Sequence, residues 1–344
     1  MVEVDVVRGR HEWIEPGAFE VAPGVHRIPL PMPGDGLRAV NVYALEDGDG
    51  LALVDAGWAL PEAREALERG LGLLGRELAD VRRFLVTHLH RDHYTLAVRL
   101  RAETGATIAL GAGERPSLEA LLDGTADRQL GKLERAGADE LAAMVRDALV
   151  GDGGGPEQDY EQPDEWLDDG AEVRVGSRTL RVLETPGHTR GHVVFVDAAN
   201  GLLFAGDHVL PHITPSIGLE AARTPLPLGD YLSSLRLVGE LPDLRLLPAH
   251  GPVTGSAHAR VAELLDHHER RLDQTEAAVL AGAVTGFETA SALGWTRRER
   301  AFADLDEFNR ILAVGETLAH LDVLVERGRL RRSTSDGVDR YRQA

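Results

Sequence analysis

The segment THLHRDH, residues 87–93, sets three histidines and an aspartate into seven positions directly behind the apolar run VRRFLV. A chain with fourteen histidines that gathers so many at one strand end is constrained in its fold. Loops at the carboxyl ends of strands are where α/β proteins place their sites. The residues before the cluster agree. NVYAL (41–45) and LALVDAG (51–57) are short apolar runs joined by the turn-rich EDGDG, the pattern of a hairpin. PEAREALERGLGLLGREL (61–78) then has helical periodicity with Glu and Arg on its polar face, and RRFLVTH follows as a strand. The histidine cluster therefore falls where the second strand of a strand, helix, strand unit ends.

Residues 97 to 149 read as mostly helical, and GDGGGPEQDYEQPDE breaks them as a loop; it lacks the lysine and the strand-to-helix setting of a phosphate loop. Strands resume in AEVRVGSRTLRVLETPG (171–187), HVVFVDA (192–198), GLLFAGDH (201–208) and LRLLPAHG (244–251). Helical patterns follow, in ARVAELLDHHERRLDQTEAAVLAG, FETASALGW and FNRILAVGETLAHLDVLVERG, and RLRRSTSDGVDRYRQ reads as a hairpin, a small wing. Four further polar residues stand at strand ends: Asp55 in LVDAG, His188 in ETPGHTRGH, Asp207 in FAGDH and His250 in PAHG. One histidine in such a place is usually a hydrogen-bonded loop or core residue; four such clusters beside THLHRDH are a different matter. His88 and His90 alternate by two, so both imidazoles can face one cation, while Asp92 and His93 after the turn can face another. With no cysteine in the chain, a transition-metal site must use imidazole and carboxylate, which zinc, manganese and iron accept.

In this order and between strands, THLHRDH, PGHTRGH, AGDH and PAHG resemble the motifs of the metallo-β-lactamase-fold hydrolases, over about residues 20–255. The resemblance implies an α/β fold, an αββα sandwich with a metal site along one edge. It implies two divalent metal ions, zinc first, with iron or manganese as alternatives. His88, His90 and His188 would hold one, Asp92, His93 and His250 the other, and Asp207 would bridge them. Asp92 and Asp207 are the expected catalytic carboxylates: both offset the cations' charge, and Asp92 orients the attacking hydroxide or accepts its proton. Asp55 is expected to hydrogen-bond the histidine loop rather than to ligate. His208 and His212, on the loop behind Asp207, are candidate substrate contacts or proton donors. His267 and His268 read as helix-surface residues, and His11, His26, His192, His258 and His320 have no supporting neighbours.

With all seven ligand positions filled, the expectation is an active hydrolase whose metal-bridging hydroxide attacks the ester or thioester carbonyl of a small-molecule or carrier-bound acyl substrate. Phosphodiesterase or ribonuclease action at the same metals is the alternative; a winged-helix nucleic-acid-binding protein with a structural metal site is a third reading. Charge argues against nucleic acid. The net charge is −19, and residues 260–344 carry 13 arginines against 15 acidic residues, a balance of −2 where a DNA-binding wing would be basic. Lack of cysteine excludes the β-lactamase subclasses with a thiolate ligand, and Asp207 departs from the remaining dinuclear one. Flavodiiron oxidoreductases have glutamate where His90 stands, and persulfide dioxygenases share the HxHxDH loop in a usually shorter chain.

The expected domains are a catalytic one over 1–259, with a helical insertion at about 112–165, and a helical, winged-helix-like one over 260–344. The insertion's Leu118, Leu121, Leu122, Leu130, Leu133, Leu141 and Met144 form either an ordinary buried face, the simpler reading, or the wall of a lid. The first twenty residues contain no apolar leader and no stretch is long enough to span a bilayer, so a soluble cytoplasmic location is expected; the oligomeric state is left open.

Overall fold

The computed structural model describes residues 12–125, 129–151, 159–222, 224–296 and 298–344. Seven strands form one sheet in sequence order: β1 (Phe19–Ala22), β2 (Val25–Pro31), β3 (Ala39–Asp47), β4 (Gly50–Val54), β5 (Val81–Val86), β6 (Thr107–Gly111) and β7 (Glu165–Leu167). It is antiparallel from β1 to β4 and parallel from β4 to β7. A second sheet has the order β12-β11-β10-β9-β8, built from β8 (Glu172–Val175), β9 (Arg178–Glu184), β10 (Val193–Asp197), β11 (Leu202–Gly206) and β12 (Arg245–Pro248). Helices α1 (Pro61–Leu73), α2 (Arg91–Thr104) and α3 (Arg115–Leu122) cover the first sheet; α4 (Leu130–Ala136), α5 (Asp139–Gly151), α6 (Pro227–Glu240), α7 (Ala257–Leu280), α8 (Gly286–Ala292) and α9 (Glu307–Glu326) lie on the side of the second. A hairpin of β13 (Leu330–Ser335) and β14 (Val338–Gln343) ends the chain.

The αββα layering follows from the strand sequences. VVFVD and LLFAG are buried at every position because helices cover one face and the other sheet covers the second. Val193, Phe195, Leu202 and Phe204 point between the sheets, where Phe204 meets Tyr43 edge-on at 5.5 Å, whereas Val194, Val196, Leu203 and Ala205 face the helices.

The stretch read as mostly helical contains β6: Gly105, in the left-handed region at φ 74°, ends α2, and TIALG, too short for a helix, extends the parallel sheet beside β5. The boundary drawn at 259/260 falls inside α7. Leu133 and Leu141 of the insertion share one core with Trp295, Phe302 and Val314, and Leu118 is buried against the first sheet's helical layer, so these leucines form the ordinary buried face; Leu122 is exposed. The part DGGGPEQ of the loop reading and the charged start of the chain fall at 152–158 and 1–11, outside the described residues. No described helix is long and apolar enough to cross a membrane.

His268 is not on the helix surface. It is fully buried where α7 meets α9, with Nδ1 3.3 Å from His320 Nε2. Burial holds the His268 pKa well below the ordinary 6.5 and brings that of His320 down to about 3. The unfolded chain thus takes up protons near pH 6.5 that the folded one refuses, so stability from these rings is complete above that pH and is lost as pH falls toward 3. Urea unfolding is expected to show a decline of roughly 1 kcal/mol per pH unit for each ring below pH 6. His320→Gln should flatten the slope, and an unchanged slope would remove the rings as its cause.

Candidate metal centre

Strands β4, β5, β9, β11 and β12 deliver the site from their carboxyl ends, carrying Asp55, the THLHRDH loop, His188, Asp207 and His250. His90 is the N-cap of α2 with extended backbone, so the chain turns sharply and aims Asp92 and His93 inward from the first helical turn. Asp55 sits at φ 62°, a left-handed conformation that aspartate tolerates, and the turn brings its carboxylate back to the histidine loop. Gly206, at φ 50°, lets the backbone pass under Thr87 and His192 just before Asp207; a Cβ there would stand 2.7 Å from both.

The side chains converge. His188 Nε2 lies 3.0 Å from His90 Nδ1, and the ring of His88 is 4.7 and 4.9 Å from those of His90 and His188. His250 Nε2 lies 3.3 Å from Asp92 Oδ2, and His93 Nε2 lies 3.5 Å from the same oxygen. Asp207 stands between the groups: Oδ1 is 3.4 Å from His250 Nε2 and 3.7 Å from His93 Nε2, while Oδ2 is 3.5 Å from His188 Nε2. Three sets of donor atoms have the mutual spacing of a metal site: His88, His90 and His188; Asp92, His93 and His250; and His88, His93 and Asp207.

Each imidazole is tied on one nitrogen and turns the other inward. His188 Nδ1 and His250 Nδ1 face the carbonyls of Ser216 and Ala39, each at 2.7 Å, and His90 Nε2 faces that of Leu219 at 3.1 Å. His93 Nδ1 lies 2.9 Å from Asp55 Oδ2. The Thr87 hydroxyl donates its one proton to Asp55, so at 3.1 Å it accepts from His88 Nδ1. These ties turn the second nitrogen inward, the orientation a ligating histidine needs. The fit to cations is direct: His88 Nε2, His93 Nε2, His250 Nε2 and Asp207 Oδ1 are buried with no hydrogen-bond partner, a costly state that a divalent ion relieves.

The electrostatics describe a site with its negative charge built in. Burial, then the neighbouring imidazoles, hold the pKa of His88 and His188 well below the ordinary range. Burial also opposes charge on His93, yet Asp55, Asp92 and Asp207 outweigh it and hold its proton well above that range. Against its own burial, Asp92 is kept well below the usual carboxylate range by His93 and His250.

The sequence model of the Metallo-beta-lactamase superfamily matches residues 35–250, more than half of the chain. The chain belongs to that superfamily. A second model, Metallo-beta-lactamase-like, C-terminal domain, matches residues 302–344. The chain is similar to a metallo-beta-lactamase family protein of Thermus thermophilus, 30% identical with TM-score 0.73, covering 94% of this chain and 100% of that one. A beta-lactamase domain protein from Burkholderia ambifaria is 31% identical with TM-score 0.74, covering 95% and 93%. Among curated relatives, the probable metallo-hydrolase YqjP of Bacillus subtilis is 27% identical over 316 residues, 87% of this chain and 90% of that protein. The atrochrysone carboxyl ACP thioesterase of Aspergillus fumigatus is 25% identical over 238 residues, 69% of this chain but 44% of that protein. This member of the superfamily is a metal-dependent hydrolase.

Two predicted contacts fare differently. His208 is corrected: its ring is fully buried, edge-on to Tyr231 at 5.2 Å, and burial brings its pKa down to about 3, so it has no face for substrate. His212 is half-buried, near Gly251 just past His250. Sequence reasoning missed His192, whose Nε2 accepts from the Asp207 N–H at 3.1 Å and so fixes that carboxylate's backbone; it shares the motif PGHTRGH, the one signal available. It also missed Glu114. This buried carboxyl, pushed up to about 7 by burial, accepts from the Leu89 N–H at 3.3 Å and from the Thr189 hydroxyl, so it joins the loops of His88 and His188.

Proposed function

We propose that this chain is a dinuclear hydrolase of ester or thioester bonds with zinc as its metal, acting on a small-molecule or carrier-bound acyl substrate. The observation that carries the proposal is the division of Asp207, with one oxygen toward His93 and His250 and the other toward His188. Paired divalent cations held by His88, His90 and His188 and by Asp92, His93 and His250 would supply hydroxide at neutral pH and a Lewis acid for the substrate oxygen.

The chain's own residues organise that chemistry. Asp92 and Asp207 offset the cationic charge, and Asp92 orients the nucleophile or accepts its proton. Asp55, Thr87 and the carbonyls of Ala39, Ser216 and Leu219 hold the rings aimed before substrate arrives, which spares reorganisation during the reaction. His212 is proposed as a substrate contact. The thioesterase relative supports a thioester over a phosphodiester, and the net charge of −19 disfavours nucleic acid as the partner.

Metal analysis of protein purified without chelator, combined with a panel of acyl thioesters, lactones and bis-p-nitrophenyl phosphate, tests the reading. Two metal equivalents and turnover of a thioester or lactone are expected. Cleavage of the phosphodiester alone would overturn it in favour of phosphodiesterase action.

A further inference from the structure

Arg91 occupies the one position of THLHRDH between the inward-facing His90 and Asp92 that turns outward. Its guanidinium lies over the indole of Trp58, 3.9 Å from the ring centroid, and its side chain is 44% exposed. Its one ionic neighbour among the described residues is Asp35, at a loose 3.6 Å, and no hydrogen bond to the guanidinium is found among them. Five donors in a planar fork are therefore fixed in direction by stacking and held by one loose ion pair.

The neighbouring segments put this fork at the rim of the metal centre. Trp58 lies three residues beyond Asp55, and its segment is sewn to α2 by Ala56 N–H to the His93 carbonyl at 3.0 Å and Ala59 N–H to Thr95 Oγ1 at 2.9 Å. Asp35 belongs to the loop that ends at Ala39, the residue whose carbonyl faces His250. Tyr160 packs on α2. It stacks on Tyr94 with centroids 6.1 Å apart and planes 12° apart, within electrostatic reach of Asp92 and Arg91. Its segment is strapped to α2 by Arg99 to Asp159 at 2.7 Å, Tyr94 OH to the Glu161 carbonyl at 2.7 Å and Arg101 to the Gln162 carbonyl at 2.9 Å. On a chain of net charge −19, an oriented guanidinium with one loose ion pair beside the reaction site has the geometry to receive an anion.

We propose that Arg91, held on Trp58, is a specificity-determining residue that binds an anionic oxygen group of the substrate, a carboxylate or a phosphate, in place of Asp35. The proposal rests on the acyl-hydrolase reading and names its substrate class: acyl esters or thioesters that carry negative charge outside the scissile bond.

Three thioesters separate the sources of charge: pentanoyl-N-acetylcysteamine, which is neutral; glutaryl-N-acetylcysteamine, with a carboxylate on the acyl side; and pentanoyl-coenzyme A, with phosphates on the leaving side. Wild-type protein is expected to prefer one charged substrate over the neutral one by about tenfold or more in kcat/KM. Arg91→Met should abolish that preference through KM, and Arg91→Lys, which keeps charge but loses the fork, should retain part of it. The substrate whose preference collapses identifies the anion. Equal losses on all three, or no loss on any, would overturn the proposal. If wild-type protein cleaves none of them, the acyl-hydrolase reading fails, and Arg91 is then judged by calorimetry on the metal-loaded protein with glutarate, pentanoate and desulfo-coenzyme A. A charged ligand should bind about tenfold tighter than pentanoate, and only while Arg91 is present; equal affinities in wild type and Arg91→Met would overturn it.

Discussion

Asp207→Ala is expected to lose one of two metal equivalents and to lower kcat by roughly 10³-fold, while the protein still folds. The carboxylate makes no contact that the fold needs. Its oxygens face His93, His250 and His188, and its backbone N–H keeps its bond to His192 whatever the side chain. What disappears is a group that faces histidines of both donor sets, together with a negative charge that would offset the proposed pair of cations. A loss of about 4 kcal/mol of transition-state stabilisation is the order that a bridging ligand supplies, and it corresponds to the stated fall in rate. Asp207→Asn sharpens the test: its single amide oxygen can serve one side, so it should retain more metal than the alanine variant. Elemental analysis, kcat and a urea transition measured on the same preparations decide the matter. Undiminished turnover with two metals still bound would show that Asp207 does not bridge.

The site was more legible in the sequence than the fold around it, for physical reasons. These strands end in buried apolar residues, so a histidine or aspartate one or two positions beyond FLV, LLFAG or LLP stands out against its background. The structure brings His88, His90, Asp92, His93, His188, Asp207 and His250 together, and sets Asp55 against His93. Apart from Asp55, the groups that orient the rings were invisible, because the carbonyls of Ala39, Ser216 and Leu219 belong to no residue type. His208 misled because it adjoins Asp207: on the turn after β11 the two side chains part, one to the metal edge and the other into the core beside Tyr231. His268 misled for a related reason. Its helix looks amphipathic and solvent-facing in isolation, but α9, about 40 residues later in the chain, covers it.

Asp55→Asn should separate metal affinity from folding more cleanly than any ligand substitution. Asparagine accepts the left-handed backbone at φ 62° as readily as aspartate, so the turn survives. Its amide oxygen can still accept from the Thr87 N–H, now 2.8 Å from Oδ1, and from the Thr87 hydroxyl at 2.9 Å. The amide NH2 then faces His93 Nδ1, where a carboxylate oxygen lies at 2.9 Å. Two donors cannot share that contact, so the neutral ring, the form that ligates, must carry its proton on Nε2, the nitrogen that faces Asp92 and Asp207. The lone pair meant for a cation is then blocked. Zinc titration against a competing chelator is expected to show the affinity at the second position weakened by about 10–100-fold, with unfolding of the metal-depleted protein shifted by only about 1 kcal/mol. Asp55→Ala gives the opposite balance. It strands the buried Thr87 N–H without an acceptor and costs about 1–3 kcal/mol of stability, while the proton on His93 is free to choose its nitrogen and metal affinity falls less than in the asparagine variant. If both variants bind zinc as wild type does, Asp55 supports the loop without setting the tautomer of His93.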